Sequence, residues 1–362
     1  MRFSAATARF RVNKMSYLKE NLYTKKELRF KNGKFKILCI SDLHGVVNFD
    51  TRLIRDLNAI LDKTKPDLLL VLGDMVWRDA MDTPDNLRAF LRPVFNEVEK
   101  RKIPWAHVFG NHDNDCVGHA DFCQQDVYEE FELNLTKRGP EEIHGIGNFV
   151  LPIKSEHSED IVYNVWGIDS HDSMNDFMRE FKLGDPANKW DKQCVYPTCL
   201  HDWGGTYDTL NFDQLKWYWD SSVELEKYAG HKIPGMMAMH IALPEYVIAY
   251  KNTAESYYEG TRREGVGCSP INSGMFNAIL DRGDVKTLMA GHDHINDYTG
   301  YFLGIKMCYD AGLNYDGYCA DDLRGGRVVE IEENDPWNVK TYMVRSADCV
   351  EDYPGEEVRI NG

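Results

Sequence analysis

Three apolar segments in the first third of the chain, separated by helix-patterned sequence and each ending in a polar string, set the fold class. Lys34 to Ile40 alternates and then turns continuously apolar, and it runs into Ser41-Asp42-Leu43-His44. Leu53, Ile54, Leu57, Ile60 and Leu61 then recur at the spacing of one helix face. Pro66 interrupts, and Asp67 to Leu72 reads as a second buried strand ending at Gly73-Asp74. A helical stretch over about Asn86 to Lys100 leads through Pro104 to a third strand, Trp105–Phe109, which ends at Gly110-Asn111-His112-Asp113. Right-handed crossovers bring the ends of such strands to one edge of a sheet. That edge is where α/β folds bind their ligands.

The second half is less regular. Ile161–Asp169, Gly235–His240, Lys286–Ala290, Tyr301–Tyr309 and Arg327–Ile331 read as strands. Between them lie two long irregular segments, Ser170–Asn211 and Asn252–Asn272, both mixing aromatics with glycine. Segments of that length inside a domain are usually functional, so both are expected at the rim of a site. The organisation expected is an arm over residues 1–33 and one domain over 34–335 with insertions at about 170–211 and 252–272. Residues 336–362 are expected as a C-terminal extension.

Composition narrows the partners. A net charge of −16 at pH 7 argues against a nucleic-acid polymer as the main partner, because such binders need a positive footprint. It leaves phosphorylated substrates open, since bound metals invert the local field. No run approaches the length of a membrane span, and the start lacks the apolar core of a secretory signal. The nine cysteines form no regular framework. The expectation is a reduced, cytoplasmic protein, and the Asn134-Leu135-Thr136 sequon carries no weight there.

Five strings, in order, carry the chemistry: Asp42-x-His44, Gly73-Asp74, Gly110-Asn111-His112-Asp113, His240, and Gly291-His292-Asp293-His294. Singly each has a bland alternative, a helix cap for Asp42 or a turn for Gly73-Asp74. Together they supply carboxylates, imidazoles and one amide in the numbers that two adjacent divalent metals need. Asp42 and His44, two apart at a strand end, should face the same side if extended, and so should His292 and His294. Asp74, with two oxygens, is the natural bridge. His112 is the candidate general acid for a departing alkoxide, and Asp113 the candidate to orient it.

Other histidines and aromatics read differently. His107, inside an apolar strand, is expected as a satisfied core residue. Trp217, Tyr218 and Trp219 are expected as the packed face of a helix. Cys116, His119 and Cys123 lack the four ligands of a closed zinc site. His144, His171 and His201, in Gly- and Asp-rich loops, are candidates to roof the site.

The ordered set resembles that of the calcineurin-like metallophosphoesterase superfamily, over roughly Phe35 to Ile331. Ile143-His144-Gly145-Ile146-Gly147-Asn148-Phe149 and Gly325-Gly326-Arg327-Val328-Val329 are similar to the branch of the yeast Dcr2 phosphatase and its plant purple-acid-phosphatase-like relatives. The resemblance implies an α/β fold of α+β type, a four-layer αββα sandwich of two mixed β-sheets flanked by helices. It implies that Asp42, His44, Asp74 and His294 hold one metal, that Asp74, Asn111, His240 and His292 hold the other, and that His112 is catalytic. Purple acid phosphatases carry GD-x-x-Y, whose tyrosine ligates ferric iron; here that position is Trp77. Indole cannot act as an anionic ligand, so Mn, Fe(II), Zn or Co in an N/O site is expected instead.

The activity expected is hydrolysis of a phosphate monoester, on a small molecule or a phosphoprotein, with a metal-bound hydroxide as nucleophile. The rival within the same chemistry is a phosphodiesterase or nucleotide hydrolase. The rival of another class is a scaffold that keeps the fold without catalysis.

Overall fold

A strand buried on both faces must be apolar throughout, because neither side meets water. Ile37–Ile40 and Leu68–Leu72 meet that condition, and the reason lies in the layering. A computed structural model describes residues 26–77, 81, 83–113, 123–172, 207–251, 253–254, 256–269 and 271–360. Its strands are β1 (Leu28–Arg29), β2 (Lys34–Ile40), β3 (Leu68–Val71), β4 (Trp105–His107), β5 (Phe149–Lys154), β6 (Ile161–Gly167), β7 (Gly235–Ala238), β8 (Ser256–Glu259), β9 (Val285–Ala290), β10 (Thr299–Phe302), β11 (Ile305–Tyr309), β12 (Gly325–Glu332) and β13 (Lys340–Arg345).

They form two mixed sheets. One has five strands in the order β13-β12-β2-β3-β4, the other eight in the order β1-β5-β6-β7-β9-β11-β10-β8. β2, β3 and β4 run parallel, as do β6, β7, β9 and β11. β12 lies antiparallel against β2, pairing Glu332 with Lys34 and Arg327 with Cys39.

Alternate side chains define the layers. Phe35, Ile37, Cys39, Leu68, Leu70 and Val329 from one sheet pack with Leu151, Tyr163, Val165, Met236, Met289 and Cys308 from the other. The opposite faces meet helices. α1 (Arg52–Thr64), α2 (Pro84–Lys100) and α3 (Gln124–Tyr128) cover the five-stranded sheet. α4 (Phe212–Ala229), α5 (Tyr246–Ala249) and α6 (Met275–Arg282) cover the other. The result is the αββα sandwich.

Two segments differ from their reading. Tyr301–Tyr309 is not one strand: β10 and β11 form a hairpin closed by Leu303 and Gly304, both at positive φ (48° and 79°), as a two-residue hairpin turn requires. Asn252–Asn272 is not all loop, since β8 pairs with β10 at the sheet edge. The helical aromatics divide as the α4 face dictates, with Trp217 and Tyr218 buried and Trp219 part-exposed.

His107 is buried, with Nε2 3.1 Å from Gln125 Oε1 and Nδ1 3.4 Å from Asn134 Nδ2. The Asn134 side chain is itself fully buried, its carbonyl accepting from the Thr136 amide at 2.7 Å, which leaves it inaccessible to a glycan. Burial holds His107 down at about 3, so it is neutral in the folded protein while an unfolded histidine titrates near 6.5. A base with a depressed folded pKa stabilises fully above the unfolded value and loses that stability as pH falls toward the folded one. Each pH unit between about 6.5 and 3 should therefore remove up to about 1.4 kcal/mol. Denaturant midpoints at pH 7 and pH 5 are expected to separate less in His107→Gln than in the parent; equal separation would assign the acid sensitivity elsewhere.

Candidate metal centre

All five strings leave the C-terminal ends of parallel strands: β2, β3 and β4 on one sheet, β7 and β9 on the other. Because the two sheets face each other, these ends converge. Asp42, His44, Asp74 and His294 offer one ligand atom each within 4.8 Å of one another, and so do Asp74, His240 and His292. Asp74 belongs to both groups, and all six residues are buried.

The donors close on common points. His294 Nε2 lies 3.1 Å from Asp42 Oδ1 and 3.0 Å from His44 Nε2. His240 Nε2 lies 3.2 Å from Asp74 Oδ2 and 3.2 Å from Asn111 Oδ1. His44 Nε2 is 3.8 Å from the same Asp74 Oδ2. The oxygen shared between the groups is thus Oδ2, while Asp74 Oδ1 accepts the His112 amide at 2.8 Å.

The far side of each ring fixes which nitrogen faces inward. His240 Nδ1 donates to the Leu72 carbonyl at 2.6 Å, and His294 Nδ1 to the Tyr318 carbonyl at 2.6 Å. Each inward Nε2 then faces carboxylate or amide oxygens, and is the nitrogen a bound cation would take in place of a proton. Asp42 Oδ1 and His44 Nδ1, both buried, make no hydrogen bond. Buried oxygen and nitrogen ligand atoms converging on common points are what a cation site requires.

Charge follows the same geometry. Burial opposes the charged form of His240, but the facing Asp74 carboxylate outweighs it and holds the ring up at about 10. Burial drives His44 down to about 3 and His292 well below the usual imidazole range. Burial also opposes ionisation of Asp42, and the His294 ring more than compensates, leaving that carboxyl lowered.

The local backbone departs from the extended reading of the strings. Asp42, His44, Asp74 and His292 have φ of 53°, 46°, 48° and 75°, a left-handed region that non-glycine residues seldom occupy. At the ends of β2, β3 and β9 the ligands converge because the chain curls, not because alternation sends two side chains to one face. Such outliers collect at functional sites. The glycines of the strings serve close approach: a Cβ on Gly110 would lie 2.2 Å from Asp74 Oδ1, and one on Gly291 1.8 Å from Ser41 Oγ.

His112 is half-buried. Trp77 stacks on it with centroids 4.8 Å apart and planes 27° apart, and also packs edge-on to His44 at 4.4 Å. Asp113 is buried, accepting from the Met75 amide at 2.8 Å and the Gly110 amide at 2.8 Å. It therefore ties the second string to the third. Burial, and after it the Asp74 charge, raise its carboxyl to about 7.

The long segments reach this edge. Asp172 and Asp208 share a backbone hydrogen bond of 2.9 Å, so the first segment leaves and returns at one place. Tyr207 packs edge-on to His292 at 4.4 Å. Residues 173–206, with Trp190, Tyr196, Trp203 and His201, lie outside the described residues, as do Cys116 and His119. The second segment is laced to the last string, the Gly267 amide donating to Asp293 at 3.0 Å and the Ile295 amide to Glu264 at 2.8 Å. His144 and His171 are held by the start of α4, His144 Nδ1 2.6 Å from Asp213 and His171 Nε2 2.8 Å from Gln214.

Sequence reasoning missed the supports from residues 311–324. Asn314 Nδ2 donates to the Asp42 carbonyl at 3.0 Å, and Tyr318 lies flat on His294. This loop carries no ligand-type string, so nothing in its composition marks it. Ser41, whose hydroxyl donates to Asp42 at 2.5 Å, could have been read from its place at the strand end.

The chain is similar to known proteins. The chain is 29% identical over 358 residues to "Probable inactive purple acid phosphatase 29" of Arabidopsis thaliana, covering 89% of this chain and 83% of that protein. It is 29% identical over 293 residues to the phosphatase DCR2 of Saccharomyces cerevisiae, covering 74% of this chain and 45% of that protein. A dimetal phosphatase from Danio rerio aligns with a TM-score of 0.48 at 12% identity, over 86% of this chain and 99% of that one. The calcineurin-like phosphoesterase profile matches residues 35–296. With most of its length under that profile, the chain belongs to the calcineurin-like phosphoesterase family.

Proposed function

We propose that this protein is a metal-dependent phosphomonoesterase, with Asp42, His44, Asp74 and His294 holding one divalent ion and Asp74, Asn111, His240 and His292 the other. The observation that carries this is the meeting of carboxylate, amide and imidazole ligand atoms around Asp74 Oδ2, which His240 Nε2 and His44 Nε2 face at 3.2 Å and 3.8 Å. Ions held there would supply Lewis acidity, activating water and neutralising charge on the phosphoryl oxygens.

The chain's own residues do the rest. His112, held by its amide on Asp74 Oδ1 and by the stacked indole of Trp77, stands beside the ligands as the acid that protonates the leaving oxygen. Asp113 positions it through the backbone, because its carboxylate fixes the turn that carries Asn111 and His112. Trp77 occupies the ferric-tyrosinate position and supplies packing instead of a ligand. That favours Mn, Fe(II), Zn or Co.

The phosphatase names of the relatives support monoesters over diesters. The Arabidopsis relative's name calls that protein probably inactive; here the complete donor set and the adjoining His112 favour catalysis over a scaffold role. The described cysteines are free, which supports a reducing compartment such as the cytoplasm. Among the described residues no helix is long and apolar enough to cross a membrane.

The test is metal analysis coupled to an ester panel. Two ions per chain and faster turnover of aryl phosphate than of bis-aryl phosphate are expected. Preference for the diester would transfer the assignment to a phosphodiesterase, and two ions with no turnover of either would leave the scaffold.

A further inference from the structure

Rings line this centre in an unbroken run. Tyr318 lies on His294 with centroids 4.0 Å apart and planes 9° apart. His294 adjoins His44 at 4.7 Å, His44 meets Trp77 at 4.4 Å, and Trp77 covers His112 at 4.8 Å. Trp77 is half-buried within the run, whereas Tyr318 is 52% exposed. One face of the Tyr318 ring is taken by His294, so its exposure belongs to the other.

That ring is also fixed in place. Its own carbonyl accepts from His294 Nδ1 at 2.6 Å, and its hydroxyl lies 3.2 Å from Glu264 Oε2. Glu264 is anchored in turn, its Oε1 accepting the Ile295 amide at 2.8 Å. An exposed aromatic face held rigidly against a metal-ligand candidate has little entropy left to lose when another ring stacks on it.

The groups around it are acidic. Glu264, Asp293 and Asp42 act on the Tyr318 hydroxyl, and Asp293, Asp74, Glu264 and Asp172 on that of Tyr207. Arg263, next in sequence to Glu264, is engaged by Asp322 at 2.5 Å and 2.7 Å. Further phosphates or carboxylates on a leaving group would find that guanidinium already paired. A flat neutral leaving group needs no such partner.

We propose that Tyr318 is the stacking platform for the leaving group, and that the site takes aryl phosphates, monoesters whose leaving group is a flat, uncharged ring. This rests on the reading of the centre as a phosphate-ester site.

Binding of two non-hydrolysable mimics to the metal-loaded protein separates the possibilities without turnover. Phenylphosphonate is expected to bind about threefold to tenfold tighter than methylphosphonate by titration calorimetry, the usual worth of one ring on another. The ratio should fall toward one in Tyr318→Leu and persist in Tyr318→Phe, which keeps the ring and loses only the hydroxyl. A Tyr318→Leu protein that keeps the parental ratio overturns the platform while leaving the phosphate-ester reading intact. If neither phosphonate binds the loaded parent, the phosphate-ester reading fails and the platform fails with it.

Discussion

Asp74→Asn is expected to lose both metals together. Asp74 Oδ2 is the one atom common to the two ligand groups, facing His240 at 3.2 Å and His44 at 3.8 Å. An asparagine can keep its oxygen on the His112 amide, where Asp74 Oδ1 now accepts. Its NH₂ then points at the shared position, putting a donor and no charge where a cation needs an anion. Activity should fall beyond the roughly 10–100-fold that loss of a ligand's supporting hydrogen bond costs. Metal content after gel filtration, measured beside the rate on an aryl phosphate, decides the matter. A variant that keeps two ions per chain removes Asp74 from the bridging role.

His112→Ala is expected to do the opposite: metals stay and rate goes. The side chain is outside both ligand groups, and its contribution to Asp74 comes from the backbone amide, which alanine retains. The loss should be about 10²–10⁴-fold, the usual worth of a positioned acid. It should be largest for alkyl esters, whose poor leaving groups most need a proton, and smaller for activated aryl esters. Equal loss on both would mean that His112 binds the phosphoryl group and does not protonate the leaving oxygen.

The two halves of the fold were unequally legible. β3 and the later part of β2 could be read because both faces are buried, which gives the apolar runs Ile37–Ile40 and Leu68–Leu72, and β4 because Pro104 sets off a buried segment interrupted only by His107. β8 and β13 escaped because they are edges: Tyr257, in β8, and Tyr342, in β13, are exposed, and only alternate residues face the protein. The hairpin at Leu303-Gly304 was hidden by a non-glycine residue at positive φ. The ligand set was visible because carboxylates, imidazoles and an amide at strand ends are an unusual combination. The way they converge was not, since left-handed φ at Asp42, His44 and Asp74 has no local signal beyond the neighbouring glycines. Tyr318 was invisible for another reason: its place against His294 is set by tertiary contacts of a loop with no pattern of its own.

The pairing of β2 with β12 has a consequence for synthesis. The strand that leads to the first two ligands finds its antiparallel partner almost three hundred residues later. At about 5–20 residues per second, a ribosome needs roughly 15 s to a minute to cover that distance. Throughout that interval the β2-α1-β3 unit presents an open hydrogen-bonding edge in a nascent chain, a hazard that finished proteins usually cover. His294 also emerges late, so neither ligand group can be complete until most of the chain is out. Expression at lower temperature, or with holding chaperones that mask exposed strand edges, should therefore raise the yield of soluble, metal-competent protein more than added metal does.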